Sequence, residues 1–170
     1  SRFDEVPRPD LDARLNQLHR TTVPRRQWPA IYALAFDHRS QFVEMAEACG
    51  APLASVSRLK QLIADAFVQV VERDGLQGRA GVLVDERFGE QVLESLTGRD
   101  LWVARPVEMP QSRPLAFEYG DNVSATLQRW PSEQVVKCLV FYHPDDEADL
   151  KQQQQERLKR LFEACCHSGH

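Results

Sequence analysis

The chain has 170 residues, 42% of them hydrophobic and 27% charged, with a formal net charge of −4 and an isoelectric point near 5.7. These values suit one folded domain and argue against disorder. The acidic balance, with arginines scattered and not interleaved with aromatics, argues against a nucleic-acid partner, and no apolar run approaches the roughly 18 residues that span a bilayer.

Residues 1–10, SRFDEVPRPD, carry two prolines and mixed charge and read as part of a linker over 1–14. Within LDARLNQLHR, Leu11, Leu15 and Leu18 fall at helical spacing and predict a short amphipathic helix ahead of the first strand. AIYALAFD is a continuous apolar run of the kind found where both faces of a parallel strand are buried. Two helices follow, QFVEMAEACG closed by Gly50 and SVSRLKQLIADAFVQVVERDG closed by Gly75. AGVLVDE predicts a second strand, GEQVLESLTG a helix, and LWVARPVE a third strand. MPQSRPLAFEYG reads as a turn with a further extended piece, and DNVSATLQRW as a short capped helix. QVVKCLVFYH is the fourth principal strand, and DDEADLKQQQQERLKRLFEACC is a helix with acids in its first turn and bases toward its end, as the helix dipole favours.

This alternation predicts an α/β fold with a parallel sheet covered by helices. The N-terminus lacks a signal-peptide pattern, so a cytoplasmic protein is expected. Cys49, Cys138, Cys165 and Cys166 show no CxxC spacing, and neither a disulfide framework, a metal nor a cofactor is expected. No phosphate-binding glycine loop, zinc motif or nucleophile elbow occurs.

Ligands of parallel α/β folds bind at the carboxyl ends of the strands. Here those ends carry Asp37, His38 and Arg39; Asp85, Glu86 and Arg87; Arg105 and Glu108; Glu118; and Lys137 with His143. Charge also marks strand ends simply because the chain surfaces there, and Asp37 and Asp85 serve equally well as helix caps. Arg87 and Glu90 read as surface residues, and His19, His167 and His170 as incidental. Lys137 stands apart because it interrupts VVKCLVF. An ammonium inside an apolar strand must find a partner, reach solvent along its stem, or bear the cost of desolvation. Glu118, which also ends an apolar run, is the charge partner expected for it.

ALAFDHRSQF, GVLVDERFGE, WVARPVEMPQSRPLAFEYG and VVKCLVFYHPDD, in that order, resemble the C-terminal domain of proteobacterial bifunctional 5-dehydro-2-deoxygluconokinase proteins of inositol catabolism. That domain is similar in turn to class I aldolases of the tagatose-bisphosphate type, which are metal-free (β/α)₈ barrels. The resemblance runs from about residue 15 to the end. It implies retro-aldol cleavage of 2-deoxy-5-keto-gluconate 6-phosphate to dihydroxyacetone phosphate and malonate semialdehyde, with an upstream kinase domain as covalent partner. Asp37 and His38 stand where those aldolases have an Asp-Gln pair, and Lys137 where they have a site lysine on the fourth strand.

On this basis Asp37, Glu118 and Lys137 are the catalytic candidates, and His38, Arg39, Asp85, Arg105 and His143 the candidate sugar-phosphate contacts. A full barrel needs roughly 250 residues, so four βα units read as its N-terminal half, inactive alone and prone to self-association, with the imine-forming lysine expected beyond residue 170. The competing expectation is a non-catalytic module that binds the sugar phosphate or regulates the kinase, since one barrel hosts many chemistries.

Overall fold

A computed structural model describes residues 27–170; the linker over 1–14 and the helix expected over 11–20 lie outside them. Four strands, β1 (Tyr32–Ala35), β2 (Ala80–Leu83), β3 (Trp102–Pro106) and β4 (Gln134–Lys137), form one sheet in the order β1-β2-β3-β4. Every neighbouring pair is parallel. Between them run helices α1 (Ser40–Ala48), α2 (Ala54–Asp74), α3 (Glu86–Leu96) and α4 (Val123–Leu127), with α5 (Ala148–Ser168) following β4.

When each strand is added on the same side of the last, right-handed crossovers place all connecting helices on one face of the sheet. Side-chain alternation together with the register assigns the two faces. Phe36, Ala80, Val82, Val84 and Val103 share the helix-covered face, packed with Ala64, Phe67 and Val71 of α2 and Val92, Leu93 and Leu96 of α3. Val107 extends that face into a second core with Leu127, Trp130, Leu161 and Ala164. Ala33, Ala35, Gly81, Leu83, Trp102, Ala104 and Val135 share the other face, and none of them belongs to the described cores. Gly81 is required there: a Cβ on it would lie 2.5 Å from the Trp102 carbonyl oxygen and 2.8 Å from the Trp102 Cβ.

Three expectations need correction. β1 is an edge strand exposed along its length, Tyr32 at 59% and Leu34 at 43%; β2 flanks it on one side only, and only beyond its last residue does Phe36 enter the core. The fourth strand stops at Lys137, because its partner β3 ends at Pro106, and Leu139, Phe141 and Tyr142 are exposed. α3 begins three residues earlier than the glycine expected to open it, since the Asp85 side chain accepts the Phe88 N–H and caps the helix. Gly89 then lies inside α3, where its lack of a Cβ lets the helix approach Val84.

Candidate active site

Asp37 lies two residues past β1, Lys137 ends β4, and Glu108 lies two residues past β3. Because Pro106 pairs with Lys137, alternation turns all three toward the face opposite the helices, at the carboxyl end of the sheet. The Lys137 ammonium donates to Asp37 Oδ2 at 3.0 Å and to Glu108 Oε1 at 2.8 Å. Arg39 closes the cluster from the loop after β1. Its guanidinium donates to Glu108 Oε1 at 3.2 Å, to the Glu108 backbone carbonyl at 2.9 Å and to Glu118 Oε2 at 2.5 Å.

Glu118 reaches this place through a hairpin-like return. The Met109 N–H donates to the Ala116 carbonyl and the Glu118 N–H to the Val107 carbonyl, folding residues 108–118 back on themselves. A cavity of about 230 Å³ opens over the cluster, lined by Asp37, His38, Arg39, Glu108, Lys137 and Phe141 among others.

Electrostatics decide what Lys137 can do. Burial alone works to lower its pKa, but hydrogen bonds from the ammonium to Glu108 and Asp37, and their charges, outweigh burial and raise it above the ordinary lysine value. The amine is therefore protonated at neutral pH, suited to hold an oxygen and unsuited to attack a carbonyl. Glu108 is buried and accepts from both cations through Oε1, while its Oε2 has no hydrogen-bond partner among the described residues. A buried carboxylate oxygen without a protein partner is satisfied by an ordered water, or by a ligand hydroxyl that displaces the side chains covering it.

Asp37, His38, Arg39, Glu118 and Lys137 are thus brought together, but with altered partners. Glu118 pairs with Arg39 where Lys137 was the expected partner, and the Arg39 guanidinium is held by two carboxylates and is not free for an anion. His38 is exposed at the cavity rim, its ring edge-on to Phe42 at 6.2 Å.

The other three candidates lie elsewhere. Asp85 is completely buried, engaged by Lys60 and by the α3 cap, so a ligand cannot reach it. Arg105 pairs with Val136, one position before Lys137, and alternation sends it to the helix face. There it forms an ion pair with Glu86 and stacks 3.9 Å from the Trp130 ring centre. His143 sits in an exposed turn, its Nδ1 accepting from the Asp145 N–H at 3.2 Å, and does not line the cavity. His170, read as incidental, is a tether: its ring nitrogens lie 2.9 Å from the Gln134 carbonyl and 3.1 Å from that of Leu127.

Two residues carry more than the sequence reading gave them. Glu108, noted only as a charge near the third strand, is the shared acceptor of the cluster. Its signal is parity, two positions past a residue in register with Lys137. Lys60 lies inside a helix, on the apolar stripe Val56, Lys60, Ala64, Phe67 and Val71, and that placement is its signal.

Across residues 1–170 the chain matches the model of a family described as "uncharacterized protein conserved in bacteria (DUF2090)". The chain belongs to that family. No curated protein matches it. In this DUF2090 member the described residues include no helix long and apolar enough to cross a membrane.

Proposed function

We propose that this chain is the N-terminal half of a (β/α)₈ barrel and carries part of a class I aldolase site. The substrate is 2-deoxy-5-keto-gluconate 6-phosphate of myo-inositol catabolism, cleaved to dihydroxyacetone phosphate and malonate semialdehyde. The observation that carries the reading is the Asp37–Lys137–Glu108 cluster, which joins three strand ends at one mouth of a sequentially ordered parallel sheet. Doubly wound sheets reverse their strand order and take helices on both faces. A single-direction order with helix-packed cores on one face is the arrangement that a barrel closes.

In this reading the Lys137 ammonium holds the substrate's keto or hydroxyl oxygen, and Asp37 and Glu108 exchange the protons of carbon–carbon cleavage. An imine-forming lysine comes from a later strand outside these residues. The three carboxylates Asp37, Glu108 and Glu118 against two cations suit the polyol portion better than the phosphate, which belongs at another loop. The upstream kinase domain is the proposed covalent partner, the cytoplasm the proposed location, and neither nucleic acid nor membrane enters the reading. A non-catalytic sugar-phosphate module attached to the kinase is the second reading. One observation favours it: the amine at the cavity is protonated and doubly ion-paired.

Borohydride reduction in the presence of the keto-sugar phosphate, followed by mass mapping, tests both on a protein that extends through the remaining strands. An adduct on a downstream lysine is expected. An adduct on Lys137 overturns its assignment, and intact binding without any adduct selects the module. Lys137→Met is expected to lower turnover by about 100-fold, the loss of roughly 3 kcal/mol from one part-buried charged contact; unchanged turnover and affinity exclude Lys137 from the site.

A further inference from the structure

Lys60 is a lysine with no exposure at all, set in the middle of α2 on the stripe that faces the sheet. An ammonium in that position has three donors and needs three acceptors. It finds them in the Phe36 carbonyl at 2.7 Å, the His38 carbonyl at 2.9 Å and the Asp85 carboxylate. The first two flank Asp37 in sequence. The backbone carbonyls of the residues before and after the one that holds Lys137 are thus fastened to one buried cation beneath the loop.

The third acceptor ties that cation to the second strand's end. Asp85 accepts from Lys60 through Oδ1 and from the Phe88 N–H through Oδ2, so loop 36–38, helix α2 and the start of helix α3 meet at one point. The Phe42 ring, 5.2 Å from Nζ, covers the remaining side. Burial depresses the Lys60 pKa against the opposing pull of Asp85, and the charges of Asp37 and Arg39 are felt there too.

We propose that Lys60 is a positioning residue: its ammonium holds the Phe36 and His38 carbonyls so that the Asp37 carboxylate is presented to Lys137. Burial alone demands three acceptors, but it does not dictate which groups supply them. Two of the three come from the loop that carries Asp37, which couples the position of that loop to the buried cation. This role rests on the Asp37–Lys137 cluster being the functional site, yet it is measurable without any turnover.

The test uses the 170-residue chain carrying isotope-labelled lysine, with the Lys137 titration followed by NMR. Lys60→Met combined with Asp85→Asn removes one charge of each sign, and the asparagine oxygen still accepts the Phe88 N–H. The Lys137 pKa is expected to fall by roughly one pH unit, to the same extent as in Asp37→Asn. Adding Asp37→Asn to the pair is expected to produce no further fall. A folded double variant whose Lys137 titrates as in the parent, or full additivity with Asp37→Asn, overturns the proposal. Should the double variant not fold, the unaltered chain decides. Its Lys60 ammonium protons are expected to exchange slowly with water and to couple through hydrogen bonds to the Phe36 and His38 carbonyl carbons; rapid exchange without coupling refutes the role. A failed borohydride trap sinks the aldolase reading and leaves this result standing, while an unchanged Lys137 titration sinks the positioning role alone.

Discussion

Lys137 and Lys60 both interrupt apolar sequence, and burial pushes the pKa of each downward, yet they end with opposite net shifts. The difference is the depth of burial and the supply of negative charge. Lys137 meets two carboxylates, whereas fully buried Lys60 meets one, and the two backbone carbonyls that complete its shell do not offset burial. Glu108 is the hinge of the outer cluster, so Glu108→Gln is expected to lower the Lys137 pKa. It should also destabilise the chain by about 2 kcal/mol, less than the roughly 3–5 kcal/mol of breaking an isolated buried pair because Asp37 and Glu118 remain. Lysine NMR and urea unfolding check the two effects; an unmoved Lys137 titration contradicts the geometry. Cys138, next in sequence, has its thiol pKa pushed up to about 12, chiefly by burial and then by the Glu108 charge. Only the thiolate is nucleophilic, so at pH 8 Cys138 is expected to resist iodoacetamide while exposed Cys49 and Cys166 are alkylated. Peptide mapping showing Cys138 labelled as fast as these would contradict its placement.

Among the elements, the helices were the more legible. α2 is announced by its apolar stripe and stopped by Gly75, which takes the left-handed conformation that a glycine adopts without strain. Strand ends were less so, because pairing with a neighbour decides where a strand stops and an apolar run alone does not. QVVKCLVFYH continues as hydrophobic sequence for several residues past the point at which β3 ceases to offer partners. Contact distances also make Gly81 and Gly89 structural. Gly81→Ala is expected to cost about 3 kcal/mol, the upper end of overpacking, since the clash is with Trp102 backbone. Gly89→Ala should cost roughly 1–2 kcal/mol, since it meets the buried Val84 side chain, which can shift a little. Chemical denaturation that ranks them in the opposite order would contradict the close approach of β2 and β3.

At the scale of the molecule, the described sheet has two open edges. β1 presents Tyr32 and Leu34 to solvent, and the segment after β4 presents Leu139, Phe141 and Tyr142. Unpaired strand edges and exposed apolar side chains recruit partners. The chain on its own is accordingly expected to self-associate, with sedimentation velocity showing species above the monomer mass; a stable monomer at micromolar concentration or above would refute the proposed half-barrel.

The alternation of strands and helices, the parallel α/β class, the stops at Gly50 and Gly75, and the concentration of charge at strand ends are all legible in the amino-acid order. These follow from local periodicity, turn chemistry and the order of elements along the chain. Which charges face one another is set by the packing of the elements. A one-residue offset in register separates Arg105 from Lys137 by the full thickness of the sheet, and a hairpin return gives Glu118 to Arg39. Lys60 becomes visible only when α2 is laid across the loop that carries Asp37. Such pairings depend on distances between residues tens of positions apart, which the packing of elements sets and local sequence does not encode.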